Sequence, residues 1–124
     1  MTENKLLIES KEFAKKILLL CRELKTRNIE SQLRDQLLRS GTSVGANIHE
    51  AQYAQGPKDF ISKFEIALKE CNECEFWLEL LHETNGITSE EFIVYQKYCI
   101  GLRRMLVASV TTMKSKQTSN TGSK

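Results

Sequence analysis

The chain has 124 residues with one proline and six glycines, which favours a single domain built from long helices. A core of this size folds without disulfides or metal, and no apolar run approaches the roughly 18–20 residues that cross a bilayer. The polar start, Met1 to Lys5, lacks the pattern of a signal peptide, so we expect a cytoplasmic protein with no membrane partner.

The distribution of charge is more informative than the net charge of +2. Residues 1–27 hold seven basic side chains against four acidic ones, and residues 92–124 hold six basic side chains and no acidic one. Residues 28–91 hold five basic against twelve acidic side chains. Basic ends favour an anionic partner, but attraction between helices of one molecule accounts for the same pattern. Both interpretations stay open.

Apolar residues recur three and four positions apart in four successive stretches, which is the pattern of amphipathic helices. The four rows are Leu6, Phe13, Ile17, Leu20 and Leu24; Ile29, Leu33, Leu37, Val44, Ile48 and Ala51; Phe60, Phe64, Ala67, Cys71, Cys74, Leu78 and Leu81; and Phe92, Tyr95, Cys99, Leu102, Leu106, Val110 and Met113. They predict helices over about 4–26, 29–54, 58–84 and 89–114. Because short connections favour antiparallel neighbours, we predict an all-α fold: an antiparallel up-down-up-down four-helix bundle over residues 1–113. The polar segment 115–124 is predicted to be a disordered tail.

Capping residues support these boundaries. Asn28 is predicted to cap the second helix, and Asn85-Gly86 to end the third with a residue that turns left-handed. The segment from Thr88 to Glu91 has the spacing of a capping box, in which Glu91 bonds back to the Thr88 amide.

The second predicted helix breaks a local rule, because it contains Gly41 and Gly45. Two internal glycines cost about 2 kcal/mol relative to alanine. Small and polar side chains beside the apolar row favour close approach of another helix, with register set by hydrogen bonds of Asn47 or Glu50. This oligomer or packing motif consists of Gln36, Arg39, Ser40, Ser43, Asn47 and Glu50. The alternative is a broken helix with a glycine-rich loop.

Two segments carry a resemblance to a known family. They are Gln36-Leu37-Leu38-Arg39-Ser40 continued by Ser43-Val44-Gly45-Ala46-Asn47-Ile48-His49-Glu50-Ala51, and Lys58-Asp59-Phe60-Ile61-Ser62-Lys63-Phe64 continued by Ile66 to Glu70 and Trp77 to Leu81. Over roughly residues 5–113 the chain resembles the bacterial "four helix bundle protein" family, also called the 23S ribosomal RNA intervening-sequence proteins.

The resemblance implies an antiparallel four-helix bundle that assembles as a ring-like homopentamer. Some members are encoded within intervening sequences of large-subunit ribosomal RNA genes. A similar protein, the accessory subunit of diversity-generating retroelements, is a basic pentamer that binds a reverse transcriptase and nucleic acid. The function of most members is unknown.

The sequence does not favour an enzyme. A di-iron bundle site requires Glu-x-x-His on each of two helices, and Glu79 with His82 supplies it once. The other histidine, His49, has Ala46 three positions before it, so the second half-site is missing. Glu79 and His82 are instead predicted to form a solvated pair. We expect no catalytic residues, no metal and no cofactor.

The four cysteines are Cys21, Cys71, Cys74 and Cys99, and all of them lie on apolar rows. A zinc site with four thiolate ligands from three helices is one interpretation. The other, which we favour, is that each thiol is a small buried hydrophobic side chain, because zinc motifs usually carry two close pairs of cysteines.

Two functional hypotheses remain. In the first, the first and fourth helices present a basic surface that binds RNA or DNA by neutralising phosphates. The candidate residues are Lys11, Lys15, Lys16, Arg22, Lys25, Arg27, Lys97, Arg103 and Arg104. In the second, the protein is a structural homo-oligomer that docks another protein, and basic helices of one subunit pair with acidic helices of the next.

Overall fold

The computed structural model describes residues 2–122, with side chains over 5–118. Its four helices are α1 (Thr2–Thr26), α2 (Ser31–Ala51), α3 (Pro57–Glu83) and α4 (Ser89–Gly122). Each helix packs against the helices before and after it, and α4 also packs against α1, whereas no Cα atom of α1 lies within 8 Å of one of α3 among the described residues. The predicted all-α fold, an up-down-up-down four-helix bundle, is confirmed.

The core contains the predicted apolar rows of all four helices. Phe13 of α1, Leu37 of α2, Phe64 of α3 and Leu106 of α4 are completely buried. Complete burial of such a side chain contributes about 1.5–3 kcal/mol relative to exposure, before the entropy of ordering it is counted. Burial of these rows therefore holds the four helices together.

Helix α2 runs without a break through its glycines, so the loop alternative is wrong. A Cβ atom at Gly41 would lie 2.8 Å from Ile17 Cγ2, and one at Gly45 would lie 3.2 Å from the Ser10 carbonyl oxygen. Both contacts are on α1. The glycines therefore allow α1 to approach α2 more closely than any larger residue permits.

The prediction that Asn28 caps α2 is wrong. Asn28 has φ 60°, the left-handed conformation, and the following amide of Ile29 donates to the Leu24 carbonyl oxygen at 3.1 Å. This geometry ends α1, and α2 begins only at Ser31, after Glu30. Asparagine occupies a left-handed position more readily than other non-glycine residues, so here it terminates a helix.

The end of α3 is built in the same way. Asn85 has φ 63°, and the Gly86 amide donates to the Leu81 carbonyl oxygen at 2.7 Å.

The predicted capping box of α4 is confirmed. The Glu91 amide donates to Thr88 Oγ1 at 3.0 Å, and the Thr88 amide donates to Glu91 Oε1 at 2.8 Å.

The ends of α2 and α4 differ most from the prediction. Helix α2 ends at Ala51 rather than at 54. Helix α4 continues to Gly122, where a disordered tail was predicted from 115; residues 123 and 124 lie outside the described residues. Extending a formed helix adds one backbone hydrogen bond per residue without a nucleation cost. Lys114, the last residue of the predicted helix, forms an exposed ion pair with Glu65 of α3 at 2.8 Å.

The close packing at Gly41 gives a first prediction. We expect Gly41→Ala to lower the melting temperature, because its Cβ would force Ile17 to move. The control is Gly101→Ala in α4, where no atom lies within 4 Å of the added Cβ. That change should raise stability by up to about 1 kcal/mol through helix propensity alone. Thermal denaturation followed by circular dichroism measures both, and equal stabilisation by the two changes would contradict the packing argument.

Candidate partner-binding surfaces

Arg27, one of the nine predicted phosphate-binding residues, is engaged by other residues of the same chain. It donates to the Gly86 carbonyl oxygen at 3.1 Å and to the two Glu91 carboxylate oxygens at 3.0 and 2.7 Å. The hydrogen bond from Arg27, opposed in part by burial, lowers the pKa of the Glu91 carboxyl to about 2. Arg27 therefore joins the end of α1 to the start of α4.

Three further candidates have contacts of their own. Arg103 donates to Glu75 Oε1 at 2.6 Å and to Asn72 Oδ1 at 3.2 Å, which joins α4 to α3. Lys15 forms an exposed ion pair with Glu12 at 3.1 Å, a type of pair that contributes little to stability. Lys16 lies over the ring of Tyr98, 5.9 Å from its centroid.

The remaining five candidates are exposed. None of them forms an ion pair among the described residues. They are Lys11, Arg22 and Lys25 on α1, and Lys97 and Arg104 on α4. Most of the predicted basic surface thus remains available to an anionic partner.

Helices α1 and α4 are neighbours, which brings some of these cations to a common groove. The Tyr95 hydroxyl of α4 donates to the Lys16 carbonyl oxygen of α1 at 3.2 Å. A groove of about 330 Å³ lies between the two helices and is lined by Lys5, Lys97, Tyr98 and others. Sequence reasoning missed Lys5, and only the antiparallel alignment of α1 with α4 reveals it beside Lys97.

The small and polar residues predicted as an oligomer or packing motif lie beside the contact of α2 with α3. Ser40 is buried and donates to the Gln36 carbonyl oxygen at 2.8 Å. Asn47 donates to the Ser43 carbonyl oxygen at 2.8 Å, also within α2. Ser40 therefore packs inside the bundle rather than between copies.

The two charged members of this motif bind α3. Arg39 pairs with Glu70 at 2.8 Å and also with Glu73. Glu50 accepts from Lys63 at 3.2 Å. Both charged members of the motif thus form ion pairs that join α2 to α3 within one chain.

The acidic helix α3 is largely neutralised by its neighbours. Glu70 and Glu73 pair with α2, while Glu75 and Glu65 pair with Arg103 and Lys114 of α4. Glu79 and Glu83, near the end of α3, are exposed and form no ion pair among the described residues. The repulsion that α3 would exert on an anionic partner is reduced accordingly.

His82 has other contacts than the predicted pair with Glu79, so that prediction is wrong. Its Nε2 lies 3.1 Å from Ser89 Oγ, and its ring stacks on Phe92 with centroids 4.6 Å apart. Both contacts are on α4, against which His82 packs at the end of α3.

Within residues 2–122, no group of three or more histidine, cysteine, aspartate or glutamate side chains could hold a metal ion.

All four cysteines are free thiols buried in the core, as the hydrophobic interpretation predicted. Burial, opposed by Arg34, raises the pKa of Cys21 to about 11. The hydrogen bonding with Cys99, together with burial, raises the pKa of the Cys71 thiol. These two groups stay protonated at neutral pH, and the thiol is a much weaker nucleophile than the thiolate.

A larger cleft, of about 740 Å³, lies between α1 and α2. Small residues line it, including Ala14, Gly45 and Ala46, together with Ile8 and Lys11. The Ile8 side chain is 65 % exposed. The cleft therefore combines exposed apolar surface with a cation. None of the helices in the described part of the chain has the length and apolarity to cross a membrane.

Together, the fold and these features define a helical bundle whose candidate sites are exterior surfaces between neighbouring helices. The chain belongs to the 23S rRNA-intervening sequence protein family, because the model of that family matches residues 2–108. The resemblance seen in the sequence is therefore confirmed.

A solved structure supports the same assignment. It is the crystal structure of a protein of unknown function from the S23 ribosomal protein family of Bacteroides thetaiotaomicron. The two chains are 42 % identical, the match covers 90 % of this chain and 99 % of that one, and the TM-score is 0.87. A comparison with curated proteins finds no match.

The pairing of Arg27 with Glu91 predicts a pH dependence of stability. Since the Glu91 pKa is about 2 in the folded chain against an ordinary value of 4.5, its ionised form favours folding above pH 4.5. This stabilisation disappears as the pH falls from 4.5 toward 2. We expect Arg27→Gln to remove about 1–2 kcal/mol of this stabilisation, a figure that allows for screening of the pair by solvent.

Urea unfolding at a series of pH values measures this effect. The Arg27→Gln variant should lose less stability than the wild type between pH 5 and 2, because ionised Glu91 stabilises its folded state less to begin with. Lys15→Gln, which removes only the exposed pair with Glu12, should keep the wild-type profile. Superimposable profiles for Arg27→Gln and the wild type would show that Arg27 does not set the Glu91 pKa.

Proposed function

We propose that this protein is a non-enzymatic cytoplasmic homo-oligomer, a pentamer as the family resemblance implies, that binds nucleic acid through basic surface on α1 and α4. Its protein partner would be a nucleic-acid enzyme such as a reverse transcriptase. The observation that carries this proposal is the set of five exposed cations that no carboxylate of the described chain pairs with.

The electrostatics of the bundle support an anionic partner. The described carboxylates that lie in ion pairs include four on α3, so the acidic middle of the chain offsets little of the charge on α1. Lysine and arginine that neutralise phosphates release condensed counterions, which makes binding strongly dependent on salt and weakly dependent on sequence. The name of the family, which refers to intervening sequences of 23S rRNA, supports an RNA as the first probe.

Light scattering tests this function directly. The mass of the protein is measured with and without a short structured RNA, at low and at moderate salt. A multiple of the 14.2 kDa chain mass that rises with RNA only at low salt is the expected result. An oligomer whose mass is indifferent to RNA at both salt concentrations would contradict nucleic-acid binding.

Charge reversal on α4 gives a sharper form of the test. We expect Lys97→Glu with Arg104→Glu to weaken RNA binding and to reduce the slope of log K against log salt by roughly 2, since each cation contributes about 1. The control is Lys58→Glu at the exposed start of α3, which should leave the slope unchanged. Equal slopes for the double variant and this control would place the RNA elsewhere.

A protein-docking scaffold without nucleic-acid binding is the second candidate. The cleft between α1 and α2 favours it, because Ile8 exposes apolar surface there that no described side chain covers. An oligomer that does not bind RNA would favour this candidate over the first, if it binds a protein partner and the Ile8→Glu variant loses that partner.

A further inference from the structure

We propose that copies of this chain bind one another through two complementary rows of side chains on the outer faces of α1 and α3. The basic row is Leu18, Arg22 and Lys25, and the acidic row is Phe76, Glu79 and Glu83. The basic row of one copy packs against the acidic row of the next. This inference rests on the proposed homo-oligomer and identifies the contact that forms it.

The basic row lies on one face of α1. Its members are spaced four and three residues apart, which places their side chains one above another on a helix. Leu18 is 36 % exposed, and its neighbour Leu19 is 59 % exposed. Arg22 and Lys25 are exposed and form no ion pair among the described residues. The row thus offers an apolar contact followed by two free positive charges.

The acidic row on α3 has the same composition with the opposite charge. Its members are spaced three and four residues apart and so also share one face. Phe76 is 54 % exposed and is held by an edge-on contact with Trp77, with ring centroids 5.0 Å apart. Glu79 and Glu83 are exposed carboxylates that form no ion pair with a described cation. This row offers an aromatic contact followed by two free negative charges.

The two rows lie at the same height in the bundle. Helices α1 and α3 run in the same direction, and their ends meet where Arg27 donates to the Gly86 carbonyl oxygen. Leu18 precedes the last residue of α1 by eight positions, and Phe76 precedes the last residue of α3 by seven. At a rise of about 1.5 Å per residue, this is a difference of about 1.5 Å along the axis.

The charged members of the rows are level as well. Arg22 and Glu79 each precede the last residue of their helix by four positions. Lys25 precedes it by one, and Glu83 is itself the last residue of α3. A second copy can therefore lie alongside the first with its axis parallel. The apolar members of the two rows then face each other, and the cations face the carboxylates, with no shift along the axis.

The position of the rows allows every copy to use both. Because α1 and α3 are diagonally opposite in the bundle, each chain offers a basic row to one neighbour and an acidic row to another. Such a contact joins different patches, so copies add head to tail until the assembly closes. Opposite charges at its edge fix the register and speed association.

Reversal of charge tests the contact. Arg22→Glu with Lys25→Glu should reduce the mass in light scattering from that of the wild-type oligomer to 14.2 kDa, the mass of one chain. Glu79→Lys with Glu83→Lys should do the same. An equimolar mixture of the two variants, and the chain that carries all four changes, should regain the wild-type mass. Circular dichroism verifies that each variant is helical.

The control is the pair Lys97→Glu and Arg104→Glu, which has the same change of charge outside both rows and should keep the wild-type mass. If all variants stay oligomeric, the contact lies elsewhere and the inference is overturned, while the proposed homo-oligomer stands. If the α1 reversal abolishes RNA binding without changing the mass, the row belongs to the nucleic-acid surface and the inference also fails. A wild-type monomer would refute the homo-oligomer itself.

Cross-linking gives an independent measurement if the charge variants fold poorly. The chain with Leu18→Cys and Phe76→Cys should form a ladder of disulfide-linked copies on mild oxidation, because the four native thiols are buried. Either substitution alone should give no ladder. An oligomeric double variant that forms none would overturn the proposed contact.

Discussion

Because an up-down bundle of four helices places α1 diagonally across from α3, no ion pair joins the basic first helix to the acidic third helix among the described residues. The carboxylates of α3 pair instead with its two neighbours, through Arg39 of α2 and through Arg103 and Lys114 of α4. Attraction between helices of one molecule therefore does account for part of the charge pattern. It leaves the outer cations of α1 without partners, and the candidate surfaces depend on that separation.

The close contact of α1 with α2 maintains this arrangement. Gly41 and Gly45 cost helix propensity, roughly 1 kcal/mol each, but they bring α1 against α2 at Ile17 and Ser10. Arg27 then fixes the other side of α1 to α4 through the capping carboxylate of Glu91. With both flanks of α1 engaged, its outer face is the part that remains free.

The sequence predicted the bundle well because apolar spacing decides which side of a helix is buried, and the four rows were regular. It also predicted the capping box, since Thr88 and Glu91 lie three residues apart and each binds the other's amide. It failed at Asn28, because asparagine suits both a cap and a left-handed terminus and only the following backbone bonds decide between them. It also failed at His82, whose partners on α4 depend on how the bundle closes.

The sequence could not predict which cations of the candidate site stay free. An ion pair between two helices depends on the relative register of those helices, which the sequence does not give.

The two surfaces proposed for this chain share Arg22 and Lys25, whereas Lys11, Lys97 and Arg104 belong to the nucleic-acid surface alone. An assembly that covers Arg22 and Lys25 would leave Lys97 and Arg104 of α4 exposed, because these lie on a different helix from either row. Each added copy would then contribute further unpaired cations while its acidic row is neutralised by a neighbour. The assembled particle would therefore present a basic surface although the net charge of one chain is only +2. Assembly would in this way strengthen binding to phosphates, whose affinity grows with the number of cations that act together.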